Sequence, residues 1–419
     1  MTFSRILPFA AFCAIYVGVY FVPNFLPLIA EGLIGGAGFS AAQAGQTLTA
    51  YMGPMSFAAF LIAAGANRLR GGWMAALALL MLTGGYGVIA LAGGNVAVIM
   101  IGMAVAGSGN GILFAVANAA IAHRGGIDAL YGAGAVASCL FAAAIAGPFN
   151  DALVKGGLGD AIMIALAMLP FMAIAGAVLG RQAMLRIGKD AAEGDKTDAT
   201  LSAPGKSMMA GGMTAAALIV SIFLSNVSQM TFYPFGGTLL SRAGFDAQTI
   251  GMIFAALFFV AALGSLLASV ISVWSRFLMP MLVASTAGLA AVILAATWLT
   301  DPIAVAAAVC AEAAMAMLIM AVQFAAASAL DKSGRLAAAA SGTLFLSWTT
   351  GPSLGGWLVD SFGFSGLALA SLVLGGLATL CALHVWRHAA GAGHAAALAR
   401  PNGAHRADTE GPVLGLAAK

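Results

Sequence analysis

PIAVAAAVCAEAAMAMLIMAVQFAAASAL, residues 302–330, is an unbroken apolar run that carries one carboxylate, Glu312, near its middle. A helix rises about 1.5 Å per residue, so roughly 20 such residues cross the roughly 30 Å hydrocarbon core of a bilayer, and this run is long enough. Glu312 lies about 15 Å along the run from Pro302, close to the midplane. A carboxylate at that depth is costly unless it is protonated, paired or facing water, and such residues are functional candidates by default. The rest of the chain reads as scaffold that brings other helices up to this side chain.

Working outward, the whole chain is 62% hydrophobic and 8% charged, against about 25% charged in soluble domains. It is expected to be an integral membrane protein. Residues 6–30 are too long for the apolar core of a cleaved signal and read as a first membrane helix. Cys13, Cys139, Cys310 and Cys381 fall inside apolar runs with no C-x-x-C pair and no histidine at ligand spacing, so neither a metal nor another cofactor is expected. A net charge of +3 gives no ground for a nucleic-acid partner.

Charged or Gly/Pro-rich breaks divide the chain into twelve candidate spans. With the N-terminus inside, every Lys and Arg except Lys155 and Arg242 falls on one face, as the excess of basic residues in cytoplasmic loops requires. Adding or removing one span scrambles that sorting. The expectation is therefore a multi-pass protein of the inner (plasma) membrane with both termini cytoplasmic. Its parts are a six-helix bundle at 1–180, a polar cytoplasmic loop at 181–206, a second six-helix bundle at 207–386 and a disordered cytoplasmic tail at 387–419.

The two halves carry a repeat. Gly38-Phe39-Ser40-Ala41-Ala42-Gln43-Ala44-Gly45 precedes the second span and Gly244-Phe245-Asp246-Ala247-Gln248-Thr249-Ile250-Gly251 the eighth, an offset of 206. Ser40 and Asp246 stand where helix N-caps belong. Arg70 with Arg276, Gly147-Pro148 with Gly351-Pro352, and Pro23 with Pro234 recur in nearly the same frame. Two six-helix halves with a site between them is an arrangement of secondary transporters.

On this layout and two local motifs the chain resembles the major facilitator superfamily over nearly all of its first 386 residues. Gly65-Ala66-Asn67-Arg68-Leu69-Arg70-Gly71-Gly72 is similar to the family's cytoplasmic loop motif, with Gly65 and Arg68 in place. Asn67 stands where that motif carries Asp, which weakens the case for charge-relay gating there. The family's proton-driven exporters tend to carry Gly-Pro-x-x-Gly-Gly in helix five. Here helix five has only Gly147-Pro148, and the full spelling is Gly351-Pro352-Ser353-Leu354-Gly355-Gly356 in helix eleven. Bending and close packing of helices is the plainer reading of these residues, with a slight lean to export. The resemblance implies a cavity lined mainly by helices one, four, seven and ten, with Glu312 at its centre and Ser108 as its counterpart in the other half.

Glu312 is the first candidate for the proton or substrate site, since apolar surroundings favour the protonated form of a carboxyl group. A protonated Glu bonded between helices is the structural alternative. Gln323 lies three turns further on and shares its face, with Met315 and Ile319 between. Asn110 and Asn118 in the fourth span are further candidates, while Gly107-Ser108-Gly109-Asn110-Gly111 is helix packing rather than a nucleotide loop, since no strand precedes it. In the first span Tyr16, Tyr20 and Asn24, and in the seventh Asn226, Gln229 and Tyr233, place polar groups near breaks at Pro23, Pro27 and Pro234, where irregular backbone must face protein or a watery cavity.

No Lys or Arg lies inside a span, so a strongly anionic substrate lacks a partner. The expected function is proton-linked transport of a small neutral, aromatic or cationic organic solute by alternating access, in a monomer. Import of a soft metal is an alternative, given 21 Met residues that include the helical pairs Met168/Met172 and Met209/Met213. A non-transporting sensor or assembly factor on the same fold is another. No nucleophile–base set gathers in the spans, so an enzyme is not expected.

Overall fold

The computed structural model describes residues 3–65, 71–121, 127–193, 208–271, 277–331 and 335–398. Asn67 and Arg68 lie outside these residues, as do 194–207 and 399–419. Among the described residues the chain is helical, joined by short turns.

The first pass is α1 (Phe3–Val19), continued by α2 (Phe21–Glu31) and a π turn, Gly32–Gly36. The N–H groups of Tyr20 and Asn24 still bond four residues back, to Tyr16 and Tyr20, so the rod continues through the seam. It also runs through Glu31, beyond Ala30, where the sequence expectation ended the span. Next come α3 (Ala41–Gly65), α4 (Gly71–Ala90) and α5 (Val96–Ile121). α6 (Ile127–Glu193) is broken at Gly157, whose φ of 72° and ψ of −167° suit a residue without a Cβ. Helix then extends past Arg181 into the segment expected as a polar loop.

The second half begins with α7 (Met208–Phe232), a 3-10 turn at Tyr233–Phe235 and α8 (Gly236–Arg242). This is another proline-interrupted rod, since Pro234 cannot donate a helix hydrogen bond. α9 (Ala247–Ile271), α10 (Leu278–Trp298), α11 (Pro302–Leu330) and α12 (Arg335–Phe362) follow. α13 (Phe364–Ala370), a π turn at Ser371–Gly375 and α14 (Gly376–Leu398) complete the described chain, with α14 continuing beyond Trp386, the expected end of the last span, into the segment expected as the tail.

Helices that begin at one end of the bundle are capped by side chains. Ser40 Oγ accepts from Gln43 N (3.2 Å) while Gln43 Oε1 accepts from Ser40 N (3.0 Å), a reciprocal box. Asp246 Oδ1 accepts from Thr249 N at 2.7 Å and Asp301 Oδ1 from Ala304 N at 2.8 Å, with Pro302 in the first turn. Both N-caps expected from the repeat are therefore in place.

Between the halves, α3 packs along α12 and α6 along α9. Backbones meet where glycines remove side chains. A Cβ on Gly355 would overlap Thr231 O, one on Gly351 would overlap Met230, and one on Gly356 would overlap Ala41 O. The second motif thus packs α12 against α7 on one side and α3 on the other. Gly147 lies against Gly251 of α9. Hydroxyls stitch the α3–α12 seam: Thr49 Oγ1 donates to Thr349 O (3.1 Å) and Ser353 Oγ to Thr49 Oγ1 (2.8 Å).

Large apolar side chains such as Phe57, Leu80, Phe171 and Ile303 are exposed on the outside, as a lipid-facing surface requires. Trp73 and Trp386 sit toward one end of the bundle and Trp298 and Trp357 toward the other, all exposed, as interfacial aromatic belts do. Trp348, at mid-length of α12, is buried. Nine helical segments of the described residues are long and apolar enough to cross a membrane.

Candidate functional site

A cavity of about 50 Å³ lies inside the bundle. Its wall includes Tyr20 and Asn24 from the first rod, Asn226, Gln229 and Tyr233 from the α7 rod, and Trp348 from α12. Cys139 of α6, Phe258 of α9, and Met317 and Met320 of α11 complete much of the remainder. At about 10–15 Å³ per water, the space holds a few waters, well below the roughly 300–1,000 Å³ of pockets for drug-sized ligands.

Glu312 is fully buried on α11, one layer behind Gln229. Gln229 Nε2 donates to its Oε1 at 2.9 Å, and Oε2 has no hydrogen-bond partner among the described residues. Three turns along, Gln323 meets the same helix. Its Oε1 accepts from Asn226 Nδ2 (3.0 Å) and its Nε2 donates to Ser225 Oγ (2.8 Å). Glu312 and Gln323 thus share a face toward α7. The result is a buried polar strip in the second half, with Asn226 and Gln229 at once in the cavity wall and bonded to α11.

The first half reaches this strip through Asn24 and the α7 rod's Tyr233. Tyr233 OH donates to Asn24 O at 2.7 Å, and Asn24 Nδ2 donates to Ser138 Oγ of α6 at 2.8 Å. Tyr20 stacks on the buried Tyr16 (centroids 4.8 Å apart) and presents an edge to Trp348 at 6.1 Å, both favourable aromatic geometries. The wall is therefore aromatic and thioether-rich, and among the described residues no Lys, Arg or His lines it.

Two of the candidate residues stand apart from this cavity. Asn110 and Asn118 do not line the cavity, and neither does any other residue of α5. The helices that take that place are α6, α9 and α12, which shifts the site toward the second half. Asn110 has a structural task instead. Pro23 has no N–H, so the carbonyl of Val19 loses its partner within the helix. Asn110 Nδ2 donates to that oxygen at 2.6 Å and lies 3.6 Å from Met55 Sδ. Asn118 Oδ1 is buried without a partner among the described residues. Ser108, the counterpart of Glu312, donates to Ala104 O of its own helix.

Trp348, Ser138, Ser225 and Phe258 were missed in the sequence. Trp348 had a signal, a tryptophan at mid-span rather than in a belt; the others had none. Of the methionine pairs, Met168 and Met172 line a separate apolar groove with Val17 and Phe171, and Met213 is exposed.

The helical rods, the apolar outer surface and the interior polar strip define a multi-pass integral membrane protein with the fold of the major facilitator superfamily. Similar solved structures include a point mutant of the nucleoside transporter NupG, with 14% identity, a TM-score of 0.62, and 91% of this chain and 99% of that one covered. The human organic anion transporter TETRAN is 13% identical at a TM-score of 0.58, covering 92% and 100%. The D-xylose-proton symporter is 12% identical at 0.64, covering 91% and 96%. No protein-family model and no curated sequence matches the chain.

Proposed function

We propose that this chain is a proton-linked secondary transporter of a small organic solute, neutral, aromatic or cationic, that works as a monomer by alternating access. The observation that carries the reading is Glu312, a fully buried carboxylate behind the cavity wall with one oxygen held by Gln229 and the other without a partner among the described residues. In the closed state Oε2 carries the coupling proton, and rearrangement of the Gln229 contact lets it leave. The aromatic faces and amides of the wall receive the solute, and the lack of a basic lining residue disfavours strong anions.

Twelve passes follow if α3 and α12 are added to the nine apolar segments and the 48-residue segment Gly132–Leu179 is divided at Gly157. The distribution of Lys and Arg supports cytoplasmic termini and a cytoplasmic connection between the halves. The similar transporters, one of them a proton symporter, support the class.

The test is flux in proteoliposomes under an imposed pH gradient, over a panel of aromatic amines, nucleosides and sugars. Glu312→Gln keeps the shape and removes the titration, so it should abolish gradient-driven accumulation while leaving exchange. Unaltered gradient-driven accumulation would sink the coupling role.

A second reading has one specific observation behind it. Met230, Met317, Met320 and Cys139 all line the cavity, and thioethers and thiols suit a soft cation such as Cu(I). Silver or copper uptake into the same proteoliposomes, lost on replacing Met317 and Met320 by Leu, would favour it. Uptake that survives the replacement would remove it.

A further inference from the structure

The end of the bundle where α3 and α9 begin is shut by two contacts that cross between the halves. The first four N–H groups of a helix have no acceptor within it. For α3 each has a partner. Gln43 N bonds Ser40 Oγ and Ser40 N bonds Gln43 Oε1 (3.0 Å). The other two, Ala41 N and Ala42 N, bond Asp360 of the opposite half, to Oδ1 at 3.0 Å and Oδ2 at 2.9 Å. Asp360 lies near the end of α12, so one carboxylate straddles two amides at the positive end of another helix's dipole.

The other contact stands at the counterpart position. Ala247, the first residue of α9, lies 206 residues beyond Ala41. Its carbonyl accepts from Asn150 Nδ2, on α6 of the first half. Helices approach closely beside both contacts: Gly356 meets the backbone of Ala41 and Ala42 at one, and Gly251 meets the backbone of Gly147 and the side chain of Asn150 at the other. The helix starts match in the repeat, whereas their partners do not: Asp360 is a carboxylate that accepts from two N–H groups, and Asn150 a neutral amide that donates to a carbonyl.

We propose that Asp360 is the clasp of a gate that holds this end of the bundle closed. When the halves part here, Ala41 N and Ala42 N lose Asp360 and have only water, so the clasp forms only in the state closed at this end. Breaking it weakens the Asn150 joint as well, because both tie the same two halves together at the same end. The proposal does not depend on what is transported, and its test needs no substrate.

The test is amide hydrogen exchange on the whole protein in lipid nanodiscs, read at 41–44 and 247–250. Asp360→Asn keeps the shape but removes the charge. A pair of partly exposed charge–dipole hydrogen bonds supports an expectation of about three- to tenfold faster exchange at both segments. Asn150→Ala, acting from the other joint, should accelerate the same two segments and carries the test if Asp360→Asn does not fold. Spin labels on Gly36→Cys and Ser241→Cys, with the four native cysteines replaced by Ala, should show a larger long-distance population in both variants. Acceleration at 41–44 alone would make Asp360 a local cap and overturn the proposal, as would unchanged exchange at both segments.

Discussion

Replacing Gly356 by Ala adds one methyl group where α12 touches α3. The new Cβ would overlap Ala41 O and lie 2.8 Å from Ala41 C and 2.9 Å from Ala42 Cα, against 3.4–4 Å for ordinary contact. Those atoms are backbone, so no rotamer change relieves the clash and the helices must separate by about half an ångström or more. A gap of that size forfeits about a quarter of the dispersion well at each affected contact, and overpacking of this kind costs about 1–3 kcal/mol. Gly84 on α4 is the control, since nothing lies within 4 Å of a Cβ there. Gly84→Ala should be neutral or stabilise by up to about 1 kcal/mol through helix propensity. The two variants should therefore differ by roughly 1–4 kcal/mol in reversible unfolding in bicelles, with Gly356→Ala the weaker. Equal stability of the two variants would refute the packing argument for the whole α3–α12 seam.

Gln323→Leu removes the bonds to Asn226 and Ser225, but Asn226 Nδ2 keeps Ile222 O and Ser225 Oγ keeps Ser221 O. A loss of about 1 kcal/mol is expected, measured by the same unfolding assay, and coupling to the pH gradient should survive. Asp246 gives a pH-dependent case outside the membrane. The Thr249 backbone N–H donating to it holds its carboxyl below the usual carboxylate value. Its folded value is thus lower than its unfolded one, so the cap's contribution is full above the unfolded value and fades as pH falls through the folded one. The thermal stability gap between wild type and Asp246→Ala should be constant from neutral pH to about 5 and shrink below about 4.

What the sequence revealed followed from local spacing. The caps at Ser40 and Asp246 were legible because a capping residue acts within its own turn. Gln323 could be placed on the face of Glu312 because eleven residues make three helical turns. The burial of Glu312 was legible from its apolar surroundings alone. What escaped depends on which helix faces which. Asn110 looked as polar as Asn226, and only the approach of α5 to Val19 commits it to a backbone carbonyl rather than to the cavity. Asp360 meets Ala41 across 319 residues of chain, and no local pattern in α12 announces the partner. The first span's true end was hidden because Glu31 resembles a terminus, whereas the π turn carries the helix past it.

The bond from Asn110 to the Val19 carbonyl also bears on how the chain can change over generations. Pro23 creates the need and Asn110 meets it, although the two belong to different helices. A variant that loses the proline regains the missing N–H and frees position 110 to become Leu or Ala. A variant that loses the amide first leaves a bare oxygen in an apolar interior. The order of substitution therefore matters: position 23 should relax before position 110 in any lineage that abandons the pair.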